Sequence, residues 1–177
     1  MFRYYLIFLV IISEIFYSMA SESSTPDLPK KIGVVLFPTF QSLDVAGPLD
    51  VFQFLSSRID GMELYLIAAS KDPVSTAFKG SDFGWKISPT HTFDEPPEQI
   101  DVLFVPGGKG VFLTGKEDEE VLGPIRTFIK DQAPKARYLL TVCTGSALVA
   151  QTGILDNLKA TSNKVWTPRG IFACGVV

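Results

Sequence analysis

The chain of 177 residues is short of the groups that most often carry reaction chemistry. It has one histidine, His91, and two cysteines, Cys143 and Cys174. So small a supply of imidazole and thiolate argues against a metal centre built on such ligands. No histidine follows Cys143, so a Cys-His catalytic pair is also poorly supported. Cationic charge is equally sparse: 16 Lys and Arg stand against 19 Asp and Glu, net −3, with no basic run. That composition argues against nucleic acid as a partner. There is no Asn-X-Ser/Thr sequon, no internal repeat and no low-complexity tract. What remains is 46% hydrophobic and 20% charged residues, the balance of a globular chain long enough for one domain with a core.

The longest apolar run, Tyr4 to Ile12, follows a short basic start at Arg3 and is interrupted by Glu14. It falls short of the roughly 20 apolar residues a membrane span requires. Small residues at Ser18 and Ala20 suit signal-peptidase cleavage after Ala20. Residues 1–20 are therefore expected to be a signal peptide and 21–30 a flexible leader. The mature chain is expected to be secreted, with no stable membrane anchor. Two cysteines in an exported chain admit a Cys143–Cys174 disulfide. The setting of Cys143 favours a free thiol instead.

Strands apolar on both faces are expected at Ile32–Phe37 and 101–105, with further strands at 63–69 and 138–142. Helices are expected at 44–57, where Pro48 would fall in the first turn, at 117–131 despite Pro124, and at 144–152 before Gly153. Residues 72–94 read as irregular with a short hairpin, His91 lying in a loop. Strand alternating with helix predicts an α/β fold, a doubly wound, flavodoxin-like parallel sheet with helices on both faces. Ligands bind such sheets at the carboxyl ends of the strands. The loops carrying Asp44, Gly107-Gly108 and Cys143 all belong to that edge.

Cys143 stands between the buried run Tyr138–Val142 and a small-residue segment beginning Thr144-Gly145-Ser146. A strand-to-helix corner of this kind lifts a thiol to the edge of a sheet and to the positive end of a helix, which favours the nucleophilic thiolate. A buried inert cysteine is the commoner fate of a core thiol. The corner spacing tips the reading towards a nucleophile. Asp44 could equally be a helix cap.

Four segments in order, Ile32-Gly-Val-Val-Leu-Phe-Pro38, Leu43-Asp-Val-Ala-Gly-Pro-Leu-Asp-Val-Phe52, Asp101-Val-Leu-Phe-Val-Pro-Gly-Gly108 and Thr141-Val-Cys-Thr-Gly-Ser146, resemble the ThiJ/PfpI superfamily. The corner, Gly153-Ile-Leu155 and Lys159-Ala-Thr-Ser-Asn163 are most similar to its isonitrile hydratase branch. The resemblance spans residues 31–165 and implies a class I glutamine amidotransferase-like domain. It implies Cys143 as nucleophile, Asp44 as acid–base and Thr144 as support for the intermediate, with Gly107, Gly108 and Gly145 lining the substrate. It implies a small-molecule substrate, no cofactor, no metal and a homodimer. Relatives near the hydratases carry His where this chain has Asn163. Residues 166–177 match nothing in the family, so a truncated, less stable or inactive product is one expectation. Other branches suggest thiol redox or carbonyl chemistry, or a ligand-sensing module.

Overall fold

The computed structural model describes residues 27–163. The expected signal peptide, Cys174 and the atypical tail lie outside the described residues. Five strands form one parallel sheet in the order β5-β2-β1-β6-β7. They are β1 (Lys31–Val35), β2 (Glu63–Ala68), β5 (His91–Thr92), β6 (Val102–Val105) and β7 (Tyr138–Thr141). Between β2 and β5 the chain leaves the sheet as a small antiparallel hairpin, β3 (Val74–Ser75) and β4 (Lys86–Ile87). Helix α1 (Ser42–Ser56) joins β1 to β2, α2 (Gly123–Gln132) precedes β7, and α3 (Gly145–Ala150) follows it. The fold is thus the doubly wound α/β, flavodoxin-like arrangement expected of the strand–helix alternation.

Strand order explains which residues are central. Ile32 lies opposite Leu64 on one side and Val102 on the other, and Val34 lies between Leu66 and Phe104. Val34, Val35, Leu103 and Val105 are fully buried, as strands covered on both faces require. After β1 the chain builds outward to β2 and β5, then returns to β6 and builds the other way. The reversal lies between β1 and β6, which puts the β1 and β6 loops at the topological switch point.

The amino end of the sheet is tied by Asp101. Its Oδ2 accepts the backbone N–H of Lys30 (2.8 Å) and of Lys31 (3.0 Å), and its Oδ1 accepts the Gln99 amide at 2.7 Å. Its carbonyl accepts the N–H groups of Arg137 and Tyr138. One residue therefore fastens the starts of β1, β6 and β7.

The structure corrects several local expectations. Helix α1 begins at Ser42, two residues early, so Pro48 sits in the helix interior and cannot donate to the Asp44 carbonyl. The acidic segment is not one helix: a π-helical turn at Asp118–Leu122 gives way to α2, with Pro124 in its first turn. Proline has no N–H for the preceding turn, so the helix restarts where that loss is harmless. His91 is part of β5, not a loop. The helix after Cys143 spans only Gly145–Ala150, and turns follow. Strand β7 is not a buried strand. Tyr138 and Leu140 share one face and are 49% and 42% exposed, so that face of β7 is left largely open.

Candidate active site

Three loops meet at the carboxyl edge of the sheet. From β1 the chain passes through Thr39, held at φ 61°, to Phe40, which bridges antiparallel to Gly108. The Gln41 N–H donates to the Gly107 carbonyl at 2.9 Å. From β7, the Val142 N–H donates to the Val105 carbonyl at 3.2 Å, which seats the third loop against the second.

The corner itself is Cys143, at φ 55°. A non-glycine residue there costs on the order of 1–3 kcal/mol and persists only where its surroundings over-determine it. The surroundings are explicit. The Gly145 N–H donates to the Val142 carbonyl at 2.9 Å. The Cys143 carbonyl accepts the hydroxyls of Ser146 (3.1 Å) and Ser162 (3.2 Å). Cys143 is a free thiol, half-buried.

Asp44 comes from the first turn of α1 and is only 9% exposed. The helix cap position belongs to Gln41, so capping does not account for Asp44. Its Oδ2 accepts the Gly107 N–H at 3.1 Å, and the Cys143 thiol lies close enough to act on the carboxyl. Burial pushes the carboxyl above its ordinary range, against the lowering effect of the Gly107 N–H and the thiol. The site thus pairs a thiol with a carboxyl kept short of solvation, a combination suited to passing a proton between them.

Thr144 is buried, and its hydroxyl is occupied by the neighbouring loop. It accepts the Gly108 N–H at 3.0 Å and lies 3.3 Å from the Gly108 carbonyl as donor. The glycines set the closeness of these loops. A Cβ at Gly107 would lie 2.7 Å from the Thr144 nitrogen and 2.8 Å from Asp44 Oδ2. One at Gly145 would lie 2.2 Å from the Val105 carbonyl oxygen. Only residues without side chains allow this approach.

The structure therefore brings Asp44, Gly107, Gly108, Cys143, Thr144 and Gly145 to one place. It adds Asn163, whose Nδ2 donates to Cys143 Sγ at 3.2 Å. The sequence marked this position only through the family resemblance, as the place where relatives carry His, and assigned it no contact with the sulfur. His91 lies on β5, at the opposite sheet edge from β7, packed edge-on against Tyr65 at 5.1 Å. The acidic segment at 117–120 is drawn into ion pairs, Asp118 holding Arg126 through both oxygens. Among the described residues no group of three His, Cys, Asp or Glu is placed to hold a metal ion.

Residues 30–170 match the model of the DJ-1/PfpI family, which extends the expected span of 31–165 into the segment expected to match nothing. The chain belongs to this family. It is 38% identical over 133 residues to isonitrile hydratase from Pseudomonas putida, covering 75% of this chain and 52% of that protein. It is 31% identical over 129 residues to the HTH-type transcriptional regulator GbdR from Pseudomonas aeruginosa, covering 72% of this chain and 32% of the regulator. A solved ThiJ/PfpI family protein from Pseudomonas syringae superposes with a TM-score of 0.60 at 30% identity, over 79% of this chain and 55% of the other. The chain spans about half the length of the hydratase it matches.

Proposed function

We propose that this DJ-1/PfpI chain is a cofactor-free, cysteine-dependent lyase that adds water to small isonitriles to give N-substituted formamides. The convergence of the Asp44 carboxyl and the Cys143–Thr144 corner at the Gly107 loop carries the reading. The similarity to isonitrile hydratase supports the choice of substrate.

In this mechanism the Cys143 sulfur attacks the terminal isonitrile carbon, and that carbon takes up the thiol proton by way of Asp44. The product is a thioimidate, with a new C–S and a new C–H bond. Asp44 then removes a proton from water, and the oxygen adds to the same carbon while the imine nitrogen is protonated. Cleavage of the C–S bond releases the formamide and returns the proton to sulfur. Water is the only co-reactant. Acid–base assistance of this kind contributes about 10²–10⁴-fold.

Supplying purified protein with an aryl isonitrile and following the formamide tests the proposal. Turnover is expected, and turnover that survives Cys143→Ala would remove the sulfur from the mechanism. The match to GbdR supports a second reading, a pocket that binds a small ligand without converting it. Saturable binding by calorimetry with no product formed would favour it. The proposal also includes export with cleavage after Ala20. Amino-terminal sequencing of the mature protein is expected to start at Ser21, and an intact Met1 would count against secretion.

A further inference from the structure

Helix α1 delivers Asp44, yet it has no side-chain cap at its start: the Gln41 carbonyl accepts the Asp44 N–H at 3.1 Å, but the Gln41 side chain does not bond the first turn. An uncapped first turn frays readily, since its N–H groups lack partners. A carboxyl meant to exchange protons with a thiol must be held to within about half an ångström. Something else therefore fixes residues 39–44.

One side of that segment is gripped by the β6 loop, through Gln41 to the Gly107 carbonyl and through the Phe40–Gly108 bridge. The other side is gripped by the β3–β4 hairpin. The Ser75 carbonyl accepts the Thr39 N–H at 2.8 Å. The Trp85 indole N–H donates to Ser42 Oγ, on the first residue of α1, at 2.8 Å. The same ring packs edge-on against Phe40, centroids 5.4 Å apart at 86°. Trp85 is itself tied to the other limb of the hairpin. Its N–H meets Thr76 Oγ1 at 3.1 Å, and its carbonyl accepts the Thr76 N–H at 3.0 Å. A Cβ on the adjacent Gly84 would lie 2.6 Å from the Ala77 nitrogen, so the two limbs meet backbone to backbone. Beyond this, Lys79 pairs with Glu117, and the Lys109 ammonium stands 5.2 Å from the centre of the Phe78 ring. The hairpin thus reaches the chain on both sides of the site, before α1 and after the Gly107-Gly108 loop.

We infer that the β3–β4 hairpin braces the start of α1 and that Trp85 is a positioning residue for Asp44. The indole anchors the first residue of α1 through the Ser42 hydroxyl, and the ring holds Phe40 so that Thr39 cannot relax from its left-handed conformation. Trp85 acts on the reacting sulfur only through Asp44. The inference rests on the Cys143–Asp44 pair of the reading above and is independent of the isonitrile substrate.

The test follows iodoacetamide alkylation of Cys143 against pH in the full chain. Asp44→Asn sets the reference, as the change that removes the carboxyl outright. Trp85→Phe keeps an aromatic ring and deletes the indole N–H, and Ser42→Ala deletes its acceptor. Each should move the pH of half-maximal alkylation in the same direction as Asp44→Asn and by part of its extent. At a pH below that point this corresponds to roughly a two- to threefold change in rate. The double variant should move no further than either single one, since both break one link. Alkylation profiles that stay at the wild-type position in Trp85→Phe and Ser42→Ala, whatever happens to thermal stability, would overturn the inference. So would fully additive shifts. Absence of isonitrile turnover in the wild type would instead count against the proposed reaction and leave this result standing.

Discussion

Asp44 and Asp101 expose nearly the same small fraction of their surface, 9% and 6%, at opposite ends of one parallel sheet. Their carboxyls are driven in opposite directions. For Asp101 burial is opposed by the Lys30 and Lys31 N–H groups, the Gln99 amide and the charge of Arg137, which together hold it below the ordinary carboxylate range. For Asp44 burial is opposed by the Gly107 N–H and the Cys143 thiol alone, and burial prevails. Equal shielding from solvent therefore does not decide what a buried acid does; how much protein surrounds it and how many donors it meets do. The amino end of the sheet spends a charged carboxylate on holding three strands together. The carboxyl end keeps a carboxyl under-solvated and next to a sulfur.

Asp44→Asn should break the chemical half of that contrast with the largest effect. Formamide formation is expected to fall by about 100-fold or more, with thermal stability at pH 7 equal to or above that of the wild type. A variant that keeps its turnover would end the distinction between the two acids. Asp101→Ala should do the reverse. Leaving its backbone donors unpaired is expected to cost about 3 kcal/mol in urea unfolding, while Cys143 in the folded protein alkylates at the wild-type rate. A thiol that changes reactivity in this variant would show the two ends to be coupled.

Acid titration sharpens the comparison further. Asp101 has a lowered folded pKa, so its stabilisation is full above the ordinary carboxylate pKa and is lost as pH falls through the folded value. Asp44 has a raised one, so the cost of its charge is present at neutral pH and is relieved as pH falls from the folded value towards 3.8. Unfolding curves collected down to acid pH should show the Asp101→Ala deficit shrinking. The small advantage of Asp44→Asn should shrink as well, but at higher pH. The smallest effect is expected from Asn163→Ala. Loss of one donor to Cys143 Sγ should slow iodoacetamide alkylation at pH 7 about threefold, and an unchanged rate would remove Asn163 from the site.

The sheet was legible because β1 and β6 are short runs apolar on both faces, Ile32–Val35 and Val102–Val105, and each ends in a loop. From strand alternation alone, Asp44, Gly107 and Cys143 could be assigned to one edge. The limits of that reading have local causes. Tyr138-Leu-Leu140 has the composition of a central strand, and nothing in it reports whether both faces are covered, so its exposure was missed. The start of α1 was misplaced because Gln41 carries no capping signal and the grip on Ser42 comes from Trp85, 43 residues away. Asn163 reaches the sulfur across a string of turns with no periodicity. In each case a contact distant in sequence decided what local propensity left open.

The contact of backbone on backbone at Gly107 and Gly145 has a consequence for how such a corner can diversify. Any added side chain there meets the main chain of the opposing loop, at 2.7 Å from the Thr144 nitrogen or 2.2 Å from the Val105 oxygen. No rotamer choice can relieve that overlap. Descendants of this sequence can exchange residues around the rim one at a time, but the floor beneath the sulfur can be resized only by shifting two strands in concert.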